Sequence, residues 1–159
     1  YRRQRQMCIR DRDDDIYILK EVYVFEKETA EIIPLAKEAH IPEDREMWCD
    51  SAEPDRIKTW KNAGYRAKAV EKEKTNEKKY QAAQIDWLKG IVRKDKVIKR
   101  MIHVDPSCVN TIKELQQWKW KRDERTGEYL DEPVPYQDDA MAALRYGVER
   151  WRKKKRTLY

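Results

Sequence analysis

Glycine is scarce in this chain, with four residues in 159. A phosphate-cradling loop of the Walker or dinucleotide-binding type needs several closely spaced glycines, so no ATP site of that kind is visible. Long apolar runs are also missing. None approaches the roughly 20 residues that cross a bilayer, and no charged-then-apolar signal segment opens the chain, so no membrane partner is expected. Three cysteines, Cys8, Cys49 and Cys108, are too few and too scattered for a disulfide framework or a zinc knuckle. A reducing, intracellular setting fits that usage. Internal repeats are not evident, and the one biased stretch, residues 68–79, is rich in lysine and glutamate and reads as a mobile loop.

The chain is long enough for one domain and not comfortably for two. Hydrophobic residues make up 40% and charged residues 42%, so the core is lean and the six Trp and nine Tyr must supply much of it. Net charge is +6, and its placement is uneven. Residues 1–12 carry +4 and residues 150–156 carry +6, which leaves −4 for the stretch between. A basic tail suits nucleic acid through phosphate neutralisation, and the same composition describes a solvated C-terminus. Residues 1–12 show no strand or helix period and differ in character from the rest. Their string Gln6-Met7-Cys8-Ile9-Arg10-Asp11-Arg12 resembles translated sequencing-adapter read-through. The expected division is therefore a non-native segment at 1–12, a domain at 13–151 and a basic tail at 152–159. The alternative for 1–12 is a genuine basic arm that touches DNA.

Strand and helix patterns alternate. Residues 15–25 read as a strand, with Ile16, Ile18, Val22 and Val24 on one parity. Residues 28–40 read as a helix with Ile32, Ile33, Leu35 and Ala36 inward, where Pro34 implies a late start or a kink. A short strand at 46–50 precedes a helix over 54–62, with Pro54 near its first position and Gly64 just past its end. A strand at 65–70, a helix at 80–92, a strand within 97–104 and a helix at 106–118 follow, the last with Val109, Ile112 and Leu115 inward. A hairpin turns around Arg125-Thr126-Gly127-Glu128, where Gly127 suits a positive φ. The last helix spans about 138–151. The pattern argues an α/β layered domain with a mixed sheet.

Several acids attract notice. Asp138 and Asp139 open the last helix, whose Met141, Leu144 and Val148 fall at helical spacing. Such acids cap a helix and complement its dipole, and carboxylates held rigidly at a helix start are also what a divalent metal needs. Asp50 ends the run Met47-Trp48-Cys49, as a turn former or as a ligand. Glu53 reads as a helix-start acid. His103 and Asp105 lie at a strand end, but Pro106 marks that place as a helix start with Asp105 or Ser107 near its cap. Arg145 either pairs with an acid near the site or lies on the surface. Lys68, Lys72 and Lys74, with Arg152 and Lys153 of the tail, are candidate phosphate contacts or parts of solvated charge runs.

The blocks Cys49-Asp50-Ser51-Ala52-Glu53-Pro54, Gly64-Tyr65-Arg66-Ala67-Lys68-Ala69 and Gly90-Ile91 resemble, in order and spacing, the nuclease domain of phage terminase large subunits. So do Ile102-His103-Val104-Asp105-Pro106-Ser107-Cys108, Thr111-Ile112-Lys113-Glu114-Leu115, Trp120-Lys121, Thr126-Gly127-Glu128, and Asp138-Asp139-Ala140-Met141 with Ala143-Leu144-Arg145-Tyr146. The likeness covers roughly residues 15–151. It implies an RNase H-like mixed sheet flanked by helices, its first strand expected to be missing here. It implies an endonuclease that cuts concatemeric double-stranded DNA with two magnesium or manganese ions. It also implies an upstream ATPase domain as the only place for ATP, a small terminase subunit and a portal protein as partners, and a phage-encoded protein in the host cytoplasm. Asp50 falls on the family's second catalytic acid, and Asp138 and Asp139 on its third acidic position. The first acid belongs to a strand upstream of Asp15, so a chain beginning with residues 1–12 is expected to be impaired. In the last block Asp139 stands where many relatives have His, and Ala142 where they have a further Asp, which leaves the choice between Asp138 and Asp139 open. Two rival readings are a DNA-binding or motor-interaction domain of the same fold that does not cut, and another RNase H-like nuclease such as a resolvase.

Overall fold

The computed structural model describes all residues except 1–3, 13–14, 72–76, 90–91, 94–95, 98–100, 135–138 and 157–159. Strand β2 (Asp15–Val24) is the spine. Strand β1 (Gln4–Arg12) runs antiparallel along it from Gln4↔Val24 to Arg12↔Asp15, with a bulge between Cys8 and Ile9. On the other side, β7 (Ile102–Val104) runs parallel to it, Ile16 opposite Ile102 and Ile18 opposite Val104. Strands β3 (Glu46–Cys49) and β4 (Arg66–Ala69) form a separate parallel pair. Two antiparallel pairs complete the strands: β5 (Val92–Arg93) with β6 (Lys96–Val97), and β8 (Trp120–Arg122) with β9 (Tyr129–Pro133). The expected mixed sheet is present among the described residues as a three-stranded ladder, β1-β2-β7, with β3 and β4 hydrogen-bonded only to each other.

Helices α1 (Thr29–Glu38), α2 (Pro54–Asn62), α3 (Glu77–Lys89), α4 (Val109–Gln117) and α5 (Asp139–Arg156) pack around these strands. The buried positions of β2 serve two cores, one near each end of the strand. Ile16 and Ile18 join Trp87 and Leu88 of α3, Cys108, and Ala140, Met141, Leu144 and Val148 of α5. Val22 joins Ile32 and Ala36 of α1, Met47 of β3, Ile57 and Trp60 of α2, and Tyr65 and Ala67. Each fully buried branched or aromatic side chain contributes about 1.5–3 kcal/mol, so β2 ties the halves together.

Several expectations need correction. Residues 1–12 lack a strand period, yet residues 4–12 form β1. The exposed edge of β2 offers main-chain donors and acceptors, and that pairing is indifferent to side-chain pattern. Ile9 of β1 packs on the first core, and Gly147 of α5 makes room for it: a Cβ at 147 would lie 2.7 Å from Ile9 Cδ1. Pro34 neither delays nor ends α1, which begins at Thr29 behind Glu28, whose N–H donates to Glu31 Oε2 at 2.8 Å. Pro34 lies on the exposed side, where water can serve the carbonyl its missing N–H would have engaged. Helix α4 starts at Val109, not at Pro106, and turns Val109 outward at 62% exposure while Thr111 and Glu114 point inward. The stretch 68–79 is not one loop: Lys68 and Ala69 belong to β4, and α3 begins at Glu77. Arg145 is buried, its Nη1 donating to Gln84 Oε1 at 3.4 Å, while Gln84 Nε2 donates to Glu149 Oε2 at 2.9 Å.

Candidate metal centre

Asp50 follows the last residue of β3, where the chain turns toward α2. Its Oδ1 accepts the Ala52 N–H at 3.0 Å, an Asx turn that fixes the carboxylate at the strand end. Pro54 then occupies the first turn of α2, and Glu53 pairs with Arg56 at 3.0 Å. The acids leave a mark on Cys49. Burial first, then the negative charges of Asp50 and Glu53, push its thiol up to about 12. Asp50 and Glu53 thus place negative charge beside Cys49, that of Glu53 being shared with Arg56.

Asp139 is the first residue of α5 and is half-buried. Helix α5, which starts at Asp139, packs against both β1 and β3, the strand that Asp50 follows. The first amides of α5 are engaged from outside. Glu114, on the inward face of α4 and 4% exposed, accepts the Ala140 N–H at 2.5 Å and the Met141 N–H at 3.3 Å on one carboxylate oxygen. Its other oxygen accepts the Tyr23 hydroxyl at 3.1 Å. Those amides have a charged acceptor from α4, so Asp139 is not what satisfies them.

Asp50 and Asp139 are oxygen donors of the kind that magnesium and manganese prefer. Among the described residues, no group of three or more His, Cys, Asp or Glu is placed to hold a metal ion. Asp138 lies outside the described residues, as do Lys72 and Lys74. Lys68 is described: its ammonium sits 2.6 Å from Glu46 Oε1 and 5.9 Å from the centre of the Trp48 ring. A phosphate at Lys68 would have to compete with Glu46. Arg152 and Lys153 lie in the last turns of α5.

His103 and Asp105 do not form a pair with each other. His103 Nε2 lies 2.9 Å from Asp15 Oδ2, and its ring stacks on Tyr17 at 4.4 Å. Asp105 accepts both the N–H and the hydroxyl of Ser107, which hold its carboxyl below the usual range. The residues missed from the sequence are Glu21 and Glu114. Glu21 of β2 accepts from the amides of Asn110 and Thr111, capping α4. An acid on the inward side of an amphipathic helix was the available signal for Glu114, and it shows only once the face of α4 is known.

Residues 5–150 match the family described as the terminase RNase H-like domain. The crystal structure of the g2p (large terminase) nuclease domain from bacteriophage SPP1 with bound Mn superposes with a TM-score of 0.71. That similarity covers 92% of this chain and 85% of the SPP1 chain at 17% identity, a likeness of fold. No curated protein matches the chain.

Proposed function

The chain belongs to the family of terminase RNase H-like domains, and from that premise we propose that it is the metal-dependent endonuclease domain of a phage packaging terminase, cutting concatemeric double-stranded DNA. What supports the reading is that Asp50 directly follows β3 and Asp139 starts α5, two elements that pack together. Manganese bound to the SPP1 nuclease domain supports divalent metal in this fold.

Asp50, Asp139 and Asp138 are the residues assigned to hold magnesium or manganese, two ions in the complete site. Such ions, when bound, activate water and stabilise the leaving oxygen of a phosphodiester. The chain's own contribution is to hold the carboxylates still: the Asx turn fixes Asp50, and the buried core face of α5 fixes the start of that helix. Lys68, Lys72, Lys74, Arg152 and Lys153 are proposed to meet DNA phosphates. The small terminase subunit and portal protein are proposed partners of the intact motor, whose upstream domain would use ATP. Family membership decides against a resolvase.

A second reading has an observation in its favour. The strand beside β2 contains a single acid, Asp11, at its far end. We assign residues 1–12 to a non-native segment and this chain to weak or absent cutting. If those residues are genuine, the domain binds DNA or motor partners without cutting. Sequencing the source DNA across the Arg12–Asp15 junction separates the two. An in-frame acid-bearing strand upstream should give a protein that nicks supercoiled plasmid with manganese. Failure of that complete protein to cut would sink the nuclease reading.

A further inference from the structure

Two buried or half-buried carboxylates link the spine strand to the start of α5 in series. Glu21 of β2 reaches α4, accepting the N–H groups of Asn110 and Thr111, each at 2.9 Å, and the Thr111 hydroxyl at 2.6 Å. Glu114 of α4 reaches α5, accepting the N–H groups of Ala140 and Met141. Tyr23, two residues beyond Glu21 on β2, donates to the other oxygen of Glu114 at 3.1 Å. Both links meet at Glu114, which joins the start of α5 to β2 through the body of α4 and through Tyr23.

Building on the metal-centre reading, we infer that Glu114 is the positioning residue for Asp139. A carboxylate that accepts two successive amides fixes both the rotation and the axial position of a helix's first turn, because the two N–H vectors must converge on one oxygen. Negative charge there also meets the positive end of the helix dipole. Asp139 immediately precedes these two amides, so its backbone cannot rotate or slide without breaking them. Glu114 itself is held by Tyr23 and is shielded from water, so the clamp does not loosen by simple hydration. Its role is to present Asp139, not to bind metal: one oxygen is occupied by amides and the other by a phenol.

The test uses the 159-residue chain, with Mn²⁺ binding read by titration calorimetry and amide exchange read at Ala140 and Met141. Glu114→Gln keeps an oxygen acceptor and a similar shape. It is expected to weaken Mn²⁺ binding about tenfold, the lower end of what loss of an outer partner does to a metal ligand, and to speed exchange at both amides. Tyr23→Phe should weaken binding less, by about threefold, in the same direction. Ile57→Ala, in the other core, lowers stability without touching the clamp and should leave Mn²⁺ affinity within about twofold. Mn²⁺ binding by Glu114→Gln within twofold of the parent overturns the inference and leaves the metal site standing, and so does equal weakening by Ile57→Ala. If the parent chain shows no Mn²⁺ binding that Asp50→Asn removes, the metal reading itself falls and the positioning role falls with it.

Discussion

Replacing Glu21 with alanine takes the acceptor away from four donors at the start of α4: the backbone and side-chain nitrogens of Asn110, and the backbone nitrogen and hydroxyl of Thr111. The Asn110 groups are half-buried and can turn to water. Thr111 is fully buried, so its two donors are stranded. A stranded buried donor costs about 1–3 kcal/mol, and loss of a carboxylate near a helix N-terminus adds roughly 0.3–1 kcal/mol. Water entering the vacated space recovers part of this, which brings the expected loss to about 3 kcal/mol. In urea the midpoint should fall by roughly 1–3 M with the slope unchanged, and the melting temperature by about 6–12 °C. Glu21→Gln retains one acceptor oxygen and should lose about half as much. A loss below about 1 kcal/mol for Glu21→Ala would refute the reasoning, because it would mean that α4 is not held by this carboxylate.

Other perturbations check separate parts of the structure. Gly147→Ala gains helix propensity but drives a Cβ to 2.7 Å from Ile9 Cδ1, so a double-mutant cycle with Ile9→Val should show favourable coupling of about 1 kcal/mol; strict additivity would mean β1 does not lie there. The depressed pKa of Asp105 comes first from the Ser107 hydroxyl and then from its N–H, so this carboxylate's contribution is present above the ordinary aspartate range and is lost as pH falls through the folded value. Ser107→Ala should raise that pKa in a carboxyl NMR titration, and an unchanged value would contradict the cause. With its thiol near 12, Cys49 should alkylate at pH 8 on the order of a thousandfold more slowly than a free cysteine, and Asp50→Asn should speed it; peptide mapping that finds Cys49 readily labelled would refute the local field.

Local signals in the sequence were reliable where a local cause decided the outcome. The parity of Ile16, Ile18 and Val22 marked the buried face of β2. Pro54 marked the first turn of α2, and Gly64, at φ +97°, lay just past its end. Gly127, at φ +73°, marked the hairpin between β8 and β9. What stayed illegible is decided by partners far along the chain. The face of α4 is set by Glu21, 89 positions away from Asn110, and by the amides of α5, so apolar spacing chose Val109 where the fold buries Thr111 and Glu114. Arg145 is drawn inward by Gln84, 61 positions away. The order of β1 comes from the edge of β2 and from the seat of Ile9 on the first core, neither of which a strand period announces. In the candidate site, Asp50 was visible as an acid closing an apolar strand, whereas the clamp that sets Asp139 needed the packing of α4 on α5.

The central claim is that Asp50 and Asp139 share a divalent cation. Crystals of the chain soaked in Mn²⁺ and measured at the manganese absorption edge test it most directly. The predicted result is an anomalous peak within coordinating distance of both carboxylates, lost in Asp50→Asn crystals. A map with no peak there, or with manganese bound only elsewhere on the surface, would contradict it.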